Sequence, residues 1–275
     1  MIPPSIDILE IVAQSDFENK DTWINEAKFG FEYIQSYCEE LNQGAAVLEV
    51  GCGSGILMAM LSEVRASVGF EGIEPFGHGF ENLTELTSFL KKKGMAIHNV
   101  GYEDYVSDAK YDLIYLINVF EHLDSWQQFL EFVERHLTDN GVCVVLCPNY
   151  NVPYESHFRI PILINKRITG KVFAQSIVAF EDENNCHGLW NSLNFVKMSD
   201  VKKRTRDSRL SLTINDKIVE DLIDRIATDD EFRKRQRVVG YIGVAIKKLG
   251  LLRLFKFGPF QNLQPYMMME LRLAR

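Results

Sequence analysis

The run VLEVGCGSG at positions 47–55 constrains this chain most: a short apolar stretch passes directly into Gly51, Gly53 and Gly55, then into the helical pattern ILMAMLSEVRA. A brief β-branched run bounded by glycine reads as a buried strand. Glycine at its end lets the backbone turn tightly and lets a ligand lie against it. A dinucleotide fingerprint needs a third glycine three positions after the second. Ile56 stands there instead. No Lys followed by Ser or Thr closes the turn, so a phosphate-binding loop is excluded. A tight structural turn is the plainer alternative. The second strand, SVGFEGIE, ends at Glu74. A carboxylate at this strand tip, roughly 20 residues past the glycines, can accept bonds from both hydroxyls of a ribose.

The alternation continues. ENLTELTSFLKKKG reads as a helix, MAIHNV and YDLIYLIN as strands, SWQQFLEFVERHLTDNG as a helix ending at Gly141, and VCVVLCP as a further strand. Strands alternating with helices imply a mostly parallel sheet with helices on both faces and right-handed crossovers. Ahead of it, Phe29, Tyr33, Tyr37 and Leu41 recur every fourth position, an amphipathic helix. After Pro148 the rhythm breaks into a proline- and aromatic-rich stretch that reads as a loop or cap. It resumes with SDVKKRTRD as a helix, RLSLTI as a strand, Asp216 to Gly250 as mostly helical, and PYMMMELRLA as a last strand. The expected division is a helical segment over 1–43, an α/β Rossmann-like core over 44–150, a cap over 151–198, and a C-terminal part over 199–275 that completes the sheet and carries helices.

A net charge of −8 argues against a protein that coats nucleic acid. Five cysteines, with no CxxC pair, suggest neither a disulfide framework nor a zinc knuckle and fit a reducing cytoplasm. No apolar run approaches the roughly 18 residues of a spanning helix. The charge is uneven, however, and the segment 233–257 is basic with interleaved large apolar residues. Such a pattern suits a membrane interface, at the inner face of the membrane. The plainer reading, which we favour, is helices that pack on the sheet or cover the acceptor pocket while the charges stay in water.

Taken together, VLEVGCGSG, GFEGIEPF, YDLIYLINVFEHL and VCVVLCPN resemble the class I S-adenosylmethionine-dependent methyltransferases, particularly the ubiquinone-biosynthesis-like and sugar-modifying branches. The resemblance covers roughly 44–150. It implies S-adenosylmethionine as cofactor, S-adenosylhomocysteine as product and no metal. By position it implies that Glu49, Gly51, Cys52, Gly53 and Gly55 line the methionine and ribose side, with Glu74 on the ribose hydroxyls. Pro75 or Phe76 would lie against adenine. Gly101 stands where many relatives carry Asp, so adenine recognition falls to backbone groups at Tyr102, to Glu103, or to both. Asn118 would face the sulfonium end. The Glu-His pair of NVFEHL puts Glu121 and His122 beside the acceptor's approach.

Methyl transfer from a sulfonium is a single in-line displacement, so alignment is the main contribution, of the kind worth about 7 to 11 kcal/mol. A proton acceptor matters when the acceptor atom is a hydroxyl. His122 and, from the cap segment VPYESHF, Tyr154, Glu155 and His157 are the candidates; the plainer reading of each is a loop anchor. His98 and His136 read as structural. The expected function is O-methylation of a small, sugar-like or lipid-linked acceptor. Its rivals are a catalytically silent cofactor-binding or partner-binding domain and an NAD-dependent oxidoreductase.

Overall fold

Strand β1 (Ala46–Val50) pairs in parallel with β2 (Gly69–Ile73) on one side and β4 (Tyr111–Ile117) on the other. Beyond β2 lies the short β3 (Ala96–His98), and β5 (Leu137–Pro148) runs parallel to β4. The computed structural model describes residues 7–17, 19–76, 84–228, 243, 245 and 247–274. A hairpin, β6 (Tyr154–Glu155) with β7 (Ile160–Pro161), stands apart from the main sheet. The last two strands, β8 (Leu210–Ile214) and β9 (Tyr266–Leu273), complete it, β9 inserted antiparallel between β5 and β8. The seven-stranded order is β3-β2-β1-β4-β5-β9-β8.

Side chains alternate between two cores because successive strand residues point to opposite faces. Leu113, Val144 and Leu146 face one core, with α1 (Asp7–Gln14), α2 (Lys20–Glu39), α3 (Ile56–Val64), α4 (Thr84–Lys92) and α10 (Ile218–Thr228). Ile114, Leu116, Cys143 and Val145 face the other, with α5 (Trp126–His136) and α9 (Met198–Arg206). Burial on both faces explains why β4 and β5 read as continuous apolar runs rather than alternating ones.

One expectation needs correction. The helix before β5 stops at His136, not Gly141: Leu137 is extended and pairs with Tyr111. Gly141 lies inside β5, at a register shift, where an added Cβ would sit 2.8 Å from the Tyr111 carbonyl oxygen. Its glycine serves close strand approach, not helix termination. The stretch after Pro148, which reads as a loop or cap, carries regular elements. It holds the β6–β7 hairpin, α6 (Lys166–Val172), α7 (Ala174–Asn184) and the one-turn α8 (Leu189–Ser192) around a small core of Tyr150, Phe158, Ile177 and Trp190. Stacking of Tyr150 on Phe195, 4.5 Å between centroids, joins the end of β5 to the segment leaving the cap.

The stretch from Asp216 to Gly250 begins with α10, and much of its remainder, like part of 233–257, lies outside the described residues. Among the described residues no helix is long and apolar enough to cross a membrane.

Candidate active site

The glycine turn, Glu74 to Phe76, and Asn118 to His122 follow the ends of β1, β2 and β4, the edge at which ligands bind open α/β sheets. Gly51, Gly53 and Gly55 all have positive φ, 69°, 50° and 80°. At Gly51 a Cβ would also lie 2.5 Å from the Val119 methyls, so turn and packing both demand glycine there. The Gly51 and Cys52 amides donate to the Ile73 carbonyl and fix the turn over the end of β2.

Glu74 closes this cradle. Buried, it accepts from the Gly53 amide at 2.9 Å and the Phe76 amide at 3.1 Å. Burial raises its pKa, and those two amides oppose the rise. Each carboxylate oxygen has a second lone pair. A fixed carboxylate beside bare glycine backbone is therefore chemically suited to accept from a pair of ribose hydroxyls.

Glu49 and Cys52 are both buried. Glu49 accepts from the Tyr115 hydroxyl at 3.0 Å on the α3 side of the sheet, and burial pushes its pKa up to about 8. The Cys52 side chain is buried and packs over Gly72, which leaves its backbone to line the turn. Pro75 is exposed and Phe76, at φ 51°, half-buried. The buried Tyr102 ring packs edge-on against Phe129 and Phe132, and its hydroxyl donates to Ser125 O at 2.6 Å, so its side chain is committed to the α5 side of the core. Glu103 is exposed and folds toward Gly101, where an added Cβ would lie 2.7 Å from its Oε2.

Asn118 has φ 55°, a left-handed conformation that Asn adopts more readily than most residues. Its amide donates to Glu26 Oε2 at 3.2 Å and accepts from the Tyr266 hydroxyl at 2.6 Å. That contact ties α2 and β9 to the tip of β4. Neither Glu26 nor Tyr266 is evident from the sequence.

The cap delivers a second group to the same edge. His157 Nδ1 lies 2.7 Å from Glu155 Oε1. Glu155 is wholly buried and also accepts from the Phe158 amide at 2.6 Å and the Tyr150 hydroxyl at 3.3 Å. Burial alone would raise the Glu155 pKa, but His157 and these amides hold it below the ordinary value. Burial would likewise lower that of His157; the Glu155 bond and charge, with Glu121 and Glu26, hold it above. Tyr154 neighbours Glu155 in β6, so the pleat turns it to the other face.

The His122 ring is 5.6 Å from that of His157. Its Nδ1 is 2.8 Å from Ser192 Oγ, which also lies 2.8 Å from Leu189 O. Burial, with the His157 and Lys166 charges, pushes its pKa down to about 3, so it is neutral. Beside it Glu121 is wholly buried, and neither carboxylate oxygen has a hydrogen-bond partner. Burial pushes its pKa up to about 7. Donor atoms of Glu121, His122 and His157 lie within 4.8 Å of one another, a spacing that could hold a cation.

His98 and His136 lie elsewhere: His98 pairs with Glu71 at 3.2 Å, and His136 Nε2 lies 3.1 Å from Ser107 O. A cavity of about 400 Å³ lined by Tyr37, Asp112, Asn140 and Arg272 opens at the opposite end of the strands.

The methyltransferase-domain family matches residues 24–195. An uncharacterised protein of Mycobacterium tuberculosis is 32% identical over 258 residues, spanning 91% of this chain and 85% of the relative. A ubiquinone biosynthesis O-methyltransferase of Rickettsia canadensis is 23% identical over 183 residues, 66% of this chain and 68% of the relative. Among solved structures, a cyclopropane synthase of M. tuberculosis superposes with TM-score 0.52 at 14% identity, over 99% of both chains. A plantazolicin methyltransferase in complex with SAH also gives 0.52 at 14%, over 98% of this chain and 90% of that one. At such identities these two structures show the fold alone.

Proposed function

The chain belongs to the methyltransferase-domain family and is a class I S-adenosylmethionine-dependent methyltransferase, and on that premise we propose that it methylates a hydroxyl of a small, sugar-like or lipid-linked acceptor, with His157 accepting the proton. One observation carries the reading: the buried Glu155 carboxylate fixes His157 Nδ1–H at 2.7 Å, which presents Nε2 as a base at the edge where Asn118 ends β4. A carboxylate that orients an imidazole and stabilises its protonated form is the arrangement that general base catalysis requires. The likeness to a ubiquinone biosynthesis O-methyltransferase favours oxygen as the accepting atom.

Bound S-adenosylmethionine supplies an electrophilic methyl carbon on a sulfonium whose leaving group is already good. Gly51, Gly53 and Glu74 hold the cofactor's ribose side, while Asn118, braced by Glu26 and Tyr266, shapes the cleft where transfer occurs. The hydroxyl's proton passes to His157 Nε2, and Glu155 stabilises the resulting imidazolium. His122 stays neutral and keeps its ring against His157. Measuring S-adenosylhomocysteine release with matched panels of phenols, glycosides and amines tests the proposal. Release with hydroxyl acceptors alone is expected; release with amines alone contradicts it.

A further inference from the structure

The stretch 232–269 contains eight Lys or Arg and no Asp or Glu, on a chain of net charge −8. In its described part Leu252 and Phe255 pack against the core, whereas Leu249, Leu251, Leu254, Phe257, Phe260 and Leu263 are exposed. Within residues 247–263, core packing therefore accounts for two of the eight large apolar side chains. The polar side chains do the reverse. Gln261 donates to Asp216 Oδ1 at 2.6 Å, and Lys202 Nζ donates to Gln261 Oε1 at 2.6 Å and Asn262 Oδ1 at 2.8 Å. Gln264 is buried and also reaches Asp216. Polar groups turned inward and apolar ones outward invert what water favours. Lys248 and Arg253 stand exposed among those apolar groups. That combination matches an anionic lipid surface, where acyl chains take the apolar groups and headgroups the cations.

The same surface is fastened to the active site. Asn149, at the end of β5, donates its backbone amide to Pro265 O at 3.0 Å and its side-chain amide to Asn262 O at 2.9 Å and Gln264 O at 2.7 Å. The next residue, Tyr266, donates to Asn118. We infer that the face formed by residues 247–263 docks on a bilayer containing anionic lipid, which brings an acceptor held in that leaflet to the mouth of the site. The inference rests on the proposed acceptor reading for what the surface delivers; docking is measured without turnover, so the two fail separately.

The test is sedimentation of the full chain with phosphatidylglycerol/phosphatidylcholine vesicles and with phosphatidylcholine vesicles, at low and high salt. Binding to the anionic vesicles at low salt is expected, weakened by salt and far weaker on phosphatidylcholine. The double variant Leu254→Ser/Phe257→Ser and the charge reversal Lys248→Glu/Arg253→Glu should each lower partitioning roughly tenfold or more. Both should keep wild-type cofactor affinity and melting temperature, which shows that the fold is intact. No binding at low salt, or folded variants that bind like wild type, overturns the inference. So does a dimer in light scattering that the Leu254→Ser/Phe257→Ser variant dissolves, because a second copy would then cover the face.

Discussion

Replacing Glu155 with Gln probes the proton acceptor through its support rather than by removing it. The carboxylate accepts from His157 Nδ1 at 2.7 Å, from the His157 amide at 3.2 Å and from the Phe158 amide at 2.6 Å. Gln keeps the shape and one acceptor oxygen but loses the charge, and its NH₂ must face a donor. A hydrogen bond to a charged partner contributes about 1.5 to 3 kcal/mol. If one such bond is lost where imidazolium forms, turnover should fall roughly 10- to 150-fold. The pH dependence should move as well. In the wild type, Glu155 helps hold the His157 pKa above its ordinary value, so the neutral base appears, and turnover rises, only above that raised value. Without the charge His157 loses its proton more easily, and the acid limb shifts to lower pH while the plateau drops. Initial rates of S-adenosylhomocysteine release across pH, beside cofactor titration to confirm an intact cleft, give both readouts. An acid limb that stays in place would refute His157 as the proton acceptor, whatever happens to the plateau.

Other predictions follow from the same geometry. Glu74→Ala should weaken S-adenosylmethionine binding roughly tenfold or more by calorimetry, since it removes a charged hydrogen-bonding partner; an unchanged Kd would remove Glu74 from the site. Glu121→Gln should raise thermal stability by an increment that grows as pH rises from the ordinary carboxylate range to about 7 and levels off above it, because over that window the unfolded chain ionises this carboxyl while the buried native site, without a hydrogen-bond partner, resists ionisation; a pH-independent difference in Tm contradicts this. The Glu155–His157 pair should stabilise the cap between the lowered Glu155 pKa and the raised His157 pKa, fading on acidification as Glu155 gains a proton and at higher pH as His157 loses one. Hydrogen exchange of the 154–161 hairpin should show that window, and flat exchange would refute it. Exhaustive dialysis against EDTA should leave turnover intact; loss restored by a divalent cation would reassign Glu121, His122 and His157 from proton transfer to metal ligation.

The parts of this site that were legible in the sequence are those defined by local spacing. A strand running into Gly51, Gly53 and Gly55, a carboxylate at the end of the next strand, and Asn118 at the end of β4 all depend on short-range pattern, and the fold brings them to one edge. Contacts between distant elements left no such trace. Glu26 and Tyr266 lie 92 and 148 residues from Asn118 and meet it only once α2 and β9 have docked. Ser192, which bonds the His122 ring, comes from a one-turn helix inside the stretch read as a cap. Glu121 was visible as half of a Glu-His pair, but its burial without a partner is a property of packing, not of residue order. Gly141 shows the converse failure: a glycine after a helical pattern resembles a helix stop, yet here it relieves a backbone contact with Tyr111. Glu49 sits in the most recognisable motif of the chain and still turns toward Tyr115.

The central claim is that the glycine turn and Glu74 form an S-adenosylmethionine site. Isothermal titration of the full chain with S-adenosylmethionine, S-adenosylhomocysteine and NAD tests it most directly. Saturable binding of the first two with no measurable heat from NAD is the predicted result, because Ile56 occupies the position where a dinucleotide turn needs its third glycine. Tight NAD binding without S-adenosylmethionine binding would contradict it.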